Sequence, residues 1–282
     1  MRAAMMHVLM SLALAVACGG CGDGGSGATT PSAEELAGTY DVMLRAADGR
    51  EVTALGWVVV EEHRIEVHTD LDGEDAGQSL SGTLPAGATS FAVEGWESQT
   101  DTVADVRGTL AVFATDDRMT IHGSVDDGGR IFFRRFDEDA VGPITLSMVR
   151  PLDGIQSFLR GTRTVRMALL PSPSGARVPS TVRIELDVRK DGTCVSAPAM
   201  EEGNEAASRF DAGSCLLSPE GRFRLGMGFE PIPPNEAILV DTPGIGFTGH
   251  LQVVGGRVVG DGFYSLPTAI TQIDAGDWRI EP

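Results

Sequence analysis

The sequence predicts an all-β protein built of antiparallel meanders, and three observations carry that prediction. The first is alternation. From Thr181 to Arg189, Val182, Ile184, Leu186 and Val188 point one way and Arg183, Glu185, Asp187 and Arg189 the other, the period of a strand with one buried face. Phe223, Leu225, Met227 and Phe229 repeat the pattern, as do Met119, Ile121 and Val125. The second is turn chemistry: Asp48-Gly49, Asp116-Asp117, Asp127-Gly128 and Gly255-Gly256 interrupt the runs where hairpins need tight reversals. The third is that no 12-residue window sustains a helical stripe, which confines helix to short pieces.

The 282 residues suffice for one large domain or two small ones, and 42% hydrophobic content is that of a core-forming chain. With 22 Lys and Arg against 40 Asp and Glu, the formal net charge is -18. Nucleic acid is thereby excluded as an expected partner. Lys190 is the sole lysine, so any lysine-dependent chemistry rests on it.

Residues 1–17 have the layout of an export signal: Arg2 gives the positive start, Val8 to Val16 a short apolar run, and Ala15-Val16-Ala17 the small residues of a cleavage site. The run is too short to span a bilayer. Leu14-Ala15-Val16-Ala17-Cys18 resembles the lipobox of bacterial lipoproteins. The resemblance implies that Cys18 is acylated and becomes the new amino terminus, which makes the membrane a partner through a lipid anchor. Gly19, in place of aspartate, then implies an outer-membrane lipoprotein facing the periplasm or the cell surface. The same Ala-Val-Ala would also suit ordinary signal peptidase. Residues 18–31 are glycine-rich and polar, a tether with a typical reach of about 20 Å.

Beyond the tether, Pro31 and the capping pattern Ser32-Ala33-Glu34-Glu35 predict one helical turn leading into Leu36-Ala37-Gly38-Thr39-Tyr40 and a first strand. About eight candidate strands follow between Thr39 and Phe136, spaced as an up-and-down meander would be. A first β-domain is assigned to residues 32–150 and a second to 151–282. Pro143, Pro151 and Asp153-Gly154 punctuate the boundary, although Ile144 to Val149 could instead complete the other half's sheet. Two echoes suggest duplication: Leu159-Arg160-Gly161-Thr162 repeats the entry at Gly38, and Gly249-His250-Leu251-Gln252-Val253 repeats Gly108-Thr109-Leu110-Ala111-Val112. A helical turn running into Gly-Thr-Tyr and an eight-strand meander resembles the opening of lipocalin-like barrels, with Tyr40 where that family's tryptophan usually stands. The resemblance implies tandem closed barrels with an apolar ligand cavity; open sandwiches with filled cores are the alternative architecture.

In an exported chain with Cys18 acylated and Cys21 in the tether, Cys194 and Cys215 are left as the expected disulfide. Several motifs invite sharper readings. Ile238 to Gly244 has the look of a GTPase metal segment, but no phosphate-cradling loop accompanies it. Gly244-Ile245-Gly246-Phe247-Thr248-Gly249 matches a dinucleotide fingerprint, yet Leu251 to Ser265 reads as a hairpin and not the helix that fingerprint needs. His63 and His68 fall in one strand-like run at an odd spacing, on opposite faces. The acidic turns Asp126-Asp127 and Asp137-Glu138-Asp139 read as solvated surface, and the cluster Asp70, Asp72, Glu74 and Asp75, bent at Gly73, is the candidate Ca²⁺ site. No catalytic residues and no cofactor are assigned. The function expected is that of an envelope-anchored, non-enzymatic binding module for a small apolar ligand or a protein partner. A hydrolase with carboxylates converging from separate strands is the alternative.

Overall fold

A computed structural model of the chain describes residues 29–70, 78–97, 102–126, 142–170, 180–197, 199–201, 208–231, 244–267 and 273–280. It comprises two tandem antiparallel β-barrels. The first is formed by β1 (Gly38–Ala46), β2 (Glu51–Glu61), β3 (Arg64–Asp70), β4 (Gln78–Thr83), β5 (Ser90–Glu97), β6 (Thr102–Ala114), β7 (Arg118–Asp126) and β8 (Ile144–Pro151). Each strand pairs with the next, and β8 returns to β1 through Asp41↔Val149 to Ala46↔Ile144, which closes the ring. The sequence places eight strands before Phe136; here the eighth is Ile144–Pro151. It belongs to the first barrel because its alternate residues Ile144, Leu146 and Met148 complete that interior.

The second barrel runs β9 (Gly161–Leu169), β10 (Thr181–Val188), β11 (Thr193–Ser196), β12 (Ala199–Glu201), β13 (Ser208–Leu217), β14 (Arg222–Pro231), β15 (Gly244–Val254), β16 (Arg257–Pro267) and β17 (Ile273–Ile280). Both β11 and β12 pair with β10 on one side and β13 on the other, so they share one position in the ring. The sequence has Pro198 at that break, a residue with no N–H to give a ladder. Pairing of β9 with both β10 and β17 closes the second ring at eight positions.

Period-2 alternation is what fills these barrels. Tyr40, Val42 and Leu44 of β1 point inward and are at most 2% exposed, and Val182, Ile184, Leu186 and Val188 of β10 at most 3%. An eight-stranded ring is just wide enough for such side chains to meet in the middle, and each barrel has one continuous apolar core. The hairpin turns fall at Asp48-Gly49, Asp116-Asp117 and Gly255-Gly256 as the sequence indicates.

The two echoes occupy equivalent places. Helix α1 (Ala33–Leu36) precedes Gly38, and helix α2 (Ile155–Leu159) precedes Gly161; both glycines take positive φ, at 129° and 83°, and each opens its barrel's first strand. Gly108 lies on β6 and Gly249 on β15, the sixth position of each ring. A Cβ at either would overlap a carbonyl oxygen of the following strand, Ser124 on β7 or Asp261 on β16. The recurring glycines therefore let the sixth and seventh strands approach closely in both halves.

Candidate functional site: the junction between the barrels

Burial along β2 shows where the barrels meet. Ala54, Gly56 and Val58 face the interior, so Leu55 faces outward, yet it is 4% exposed and packs in neither barrel's core. Strand β14 lies against this wall. The outer face of β1 beside it carries Thr39 and Asp41, and the second barrel presents the turns 189–192 and 218–221 together with α2.

Thr39 is wholly buried in this contact. Its N–H donates to the Asp191 carbonyl at 2.7 Å and its hydroxyl to the Leu217 carbonyl at 2.6 Å. Gln156, on α2 and 4% exposed, donates from Nε2 to Thr39 Oγ1 at 2.6 Å and to the Leu217 carbonyl at 2.7 Å. The Asp191 carboxylate shapes its own turn by accepting from Thr193 N–H and Oγ1 at 3.0 and 2.7 Å. Gly192, at φ 83°, completes that turn where a side chain would overlap Thr39 Oγ1. Every polar group so described has a partner, as burial demands.

Asp41 is the charged member. Its Oδ1 accepts from Ser218 Oγ at 2.5 Å and its Oδ2 from the Glu220 N–H at 2.9 Å, while Arg222 Nε stands 3.9 Å from Oδ1. The side chain is 13% exposed. Burial pushes its carboxyl up to about 6; the Glu220 carboxylate adds to the rise, and the Ser218 hydroxyl, the Glu220 N–H and Arg222 oppose it.

The base of the first barrel is closed next to this junction. Arg150, from β8, donates to the carbonyls of Ala37 and Glu35 and lies over the Tyr40 ring with its guanidinium carbon 4.9 Å from the centroid. The Tyr40 hydroxyl donates to the Leu36 carbonyl at 2.6 Å, and its burial raises its pKa. Helix α1 starts in the capping box formed by Ser32 and Glu35. Ahead of it, Thr29 pairs with Ala114 in both directions, at 2.8 and 3.1 Å, where β6 outruns β5. The amino-terminal arm is thereby fixed to the base.

The residues singled out from sequence lie elsewhere. Cys18, Cys21 and the lipobox are outside the described residues. Asp70 ends β3, while Asp72, Glu74 and Asp75 are outside the described residues, as are Asp127 and Asp137-Glu138-Asp139. Among the described residues no three His, Cys, Asp or Glu side chains gather as a metal site. Cys194 and Cys215 are directly opposed on β11 and β13 and form a disulfide, with Cα atoms 4.8 Å apart and both residues 3% exposed. His63 lies in the β2–β3 turn and not in a strand run with His68, because Glu62, at φ 55°, reverses the chain. His68 is stacked on Trp57 at 5.0 Å. Gly244 to Gly249 lies in the body of β15, and β16 follows where a dinucleotide fingerprint would need a helix.

Sequence reasoning passed over Thr39, Asp41, Gln156 and Ser218. A signal was present in Ala54 to Val60, seven residues without a charge, which marks a strand covered on both faces.

Two clefts flank these structures. One of about 550 Å³ lies between the Thr30–Glu34 segment, His63 and residues 83–87, and a shallower one of about 360 Å³ is bordered by Asp153, Phe158, Glu220 and Val253. Compared with protein-family models, with curated proteins and with solved structures, the chain matches none.

Proposed function

We propose that the chain is an envelope-anchored lipoprotein, acylated at Cys18, that acts by binding a protein partner on its outer surfaces. The packing of the two interiors is the observation that carries this reading. In the first barrel Leu44, Ile65 and Leu110, and in the second Val182, Ile184, Leu225 and Phe247, have no surface open to solvent, so no water-sized void borders them. Ligand cavities run from about 300 Å³ upward. Opening that much space among such side chains would cost about 7 kcal/mol at 24 cal/mol per Å³, comparable to the whole stability of a domain. A ligand carried inside a barrel is therefore disfavoured against recognition from outside. The anchor fits the same picture: the eleven residues from Cys18 to Ala28 reach about 18 Å as a glycine-rich coil and join the base of the first barrel at Thr29, which would hold that base near a membrane.

Fractionation and dye titration test the two parts separately. Replacing Cys18 with serine should move the protein from the membrane to the soluble fraction; an unchanged membrane fraction rejects the anchor. An apolar fluorescent dye titrated into the purified mature protein should give no saturable one-to-one binding. Saturable uptake would return the ligand-carrier reading.

A further inference from the structure

We propose that the base of the molecule docks directly on a bilayer surface, where exposed apolar side chains from both barrels enter the headgroup region. This rests on the anchored reading above for what brings a bilayer close, but it concerns other residues. Among the described residues nine large apolar side chains stand exposed, and five of them, Phe113, Leu152, Phe158, Val253 and Val254, fall along one path that starts where the amino-terminal arm enters.

Contacts trace that path step by step. Thr29 pairs with Ala114, beside Phe113 at the end of β6. Asp117, three residues and at most about 10 Å further on, gives its carbonyl to the Leu152 N–H at 2.9 Å. Asp153 follows and borders the cleft of about 360 Å³ that Phe158 and Val253 also line. Phe158 points away from the junction because Gln156, two residues earlier on α2, points into it, and two residues turn a helix by about 200°. Val253 lies on the same face of β15 as Leu251, the last residue of that strand in the core, and so stands below the core. With Val254 it forms the end of the β15–β16 hairpin, closed by Gly255-Gly256. The five side chains are 38–58% exposed. Singly such residues are ordinary, but a connected set at one end marks a surface that something covers.

A bilayer is the occupant that the rest of the chain favours. The eleven residues from Cys18 to Ala28 reach about 18 Å and lead into Thr29 at the head of the path. An acylated chain therefore holds this end against lipid at an effective concentration on the order of millimolar, and a contact too weak to survive dilution is then engaged. The charges around the path select the headgroup. Glu61, Glu62, Asp116 and Asp117 stand at the base of the first barrel, Asp153 and Glu220 rim the cleft, and the chain has a net charge of -18. Zwitterionic lipid fits such a surface, and anionic lipid is repelled by it.

The test floats the full mature chain carrying Cys18→Ser with phosphatidylcholine vesicles at millimolar lipid. With no acyl chain present, partition reports the apolar surface alone, whether or not cells acylate Cys18; fractionation of cells, at far higher dilution, reports the anchor alone. The chain should float with the vesicles. Val253→Ser combined with Val254→Ser, and separately Phe158→Ser, should each lower the partition constant by roughly 10-fold. Phe263→Ser, a change of the same kind on the outer face of β16, should leave it level. Phosphatidylglycerol mixed into the vesicles should weaken partition. No flotation of the chain, native partition in the valine variant or in Phe158→Ser, an equal fall in Phe263→Ser, or tighter binding to the anionic vesicles would each overturn the docking. So would a dimer of the native chain in sedimentation that the valine variant abolishes, since the surface would then belong to a second copy.

Discussion

Arg150 carries several contacts at once: its planar fork satisfies two carbonyls at the end of α1 while its face covers Tyr40. Arg150→Ala would leave those carbonyls in a site only 9% exposed, and the unmade bonds together with the lost stacking should cost about 2–4 kcal/mol. Arg150→Lys should recover only part of this, because an ammonium cannot reproduce the fork. Urea unfolding of the two variants checks both points, and equal stability of the lysine variant and the native protein would show that charge alone suffices. The disulfide makes a second claim at this scale. It joins residues 21 apart on adjacent strands, and in the chain-entropy model closing such a loop contributes about 3 kcal/mol. Replacing both cysteines with serine should lower stability by about that amount in the same unfolding measurement, and two free thiols in the purified native protein would refute the bridge.

The turns that hold the junction differ from ordinary hairpin turns in how much a side chain would disturb them. Gly192 and Gly49 share positive φ, at 83° and 90°, but a Cβ on Gly192 meets Thr39, Gln156 and Leu217, whereas one on Gly49 meets nothing within 4 Å. Gly49→Ala should therefore cost only the backbone strain, about 1 kcal/mol. Gly192→Ala should cost more and also strip exchange protection from the Thr39 amide; equal costs for the two would show that the junction contributes no stability. The same contrast explains what the sequence revealed. Alternation in β7, β10 and β14 was plain because each of these strands has one apolar face turned to its own barrel, and that is a local property. The closing role of Ile144–Pro151 was ambiguous because a strand's partners are not written in its own pattern. Asp41 was invisible: an aspartate at an outward position of an alternating strand reads as solvated, and only the docking of a turn more than 170 residues later makes it buried. Leu55 and Trp57 were legible in principle, as apolar residues at outward positions of β2, but nothing local says which surface covers them.

For the whole molecule the question is whether the barrels fold separately, and the pairings give a definite expectation. Every ladder of the first barrel closes within Gly38–Pro151, its core is its own, and its base is capped by Arg150 and α1 from the same stretch. The second barrel adds only the junction, whose removal returns Thr39 and Asp41 to water, where both find new partners, and exposes Leu55. A fragment of residues 29–153, which keeps the Thr29–Ala114 pairing and the whole of β8, should therefore be soluble and unfold in one cooperative step, with a Tm below that of the full chain. Cutting inside β8 instead, before Met148, would unpair β1 at Asp41 and Val42 and β7 along Arg118 to Ile121 and leave a sheet edge, and that shorter fragment should aggregate. Calorimetry and light scattering on the two fragments beside the intact protein distinguish the cases. A molten or insoluble 29–153 fragment with a stable full-length control would mean that the junction is needed for the first barrel to fold at all, making the two rings one cooperative unit.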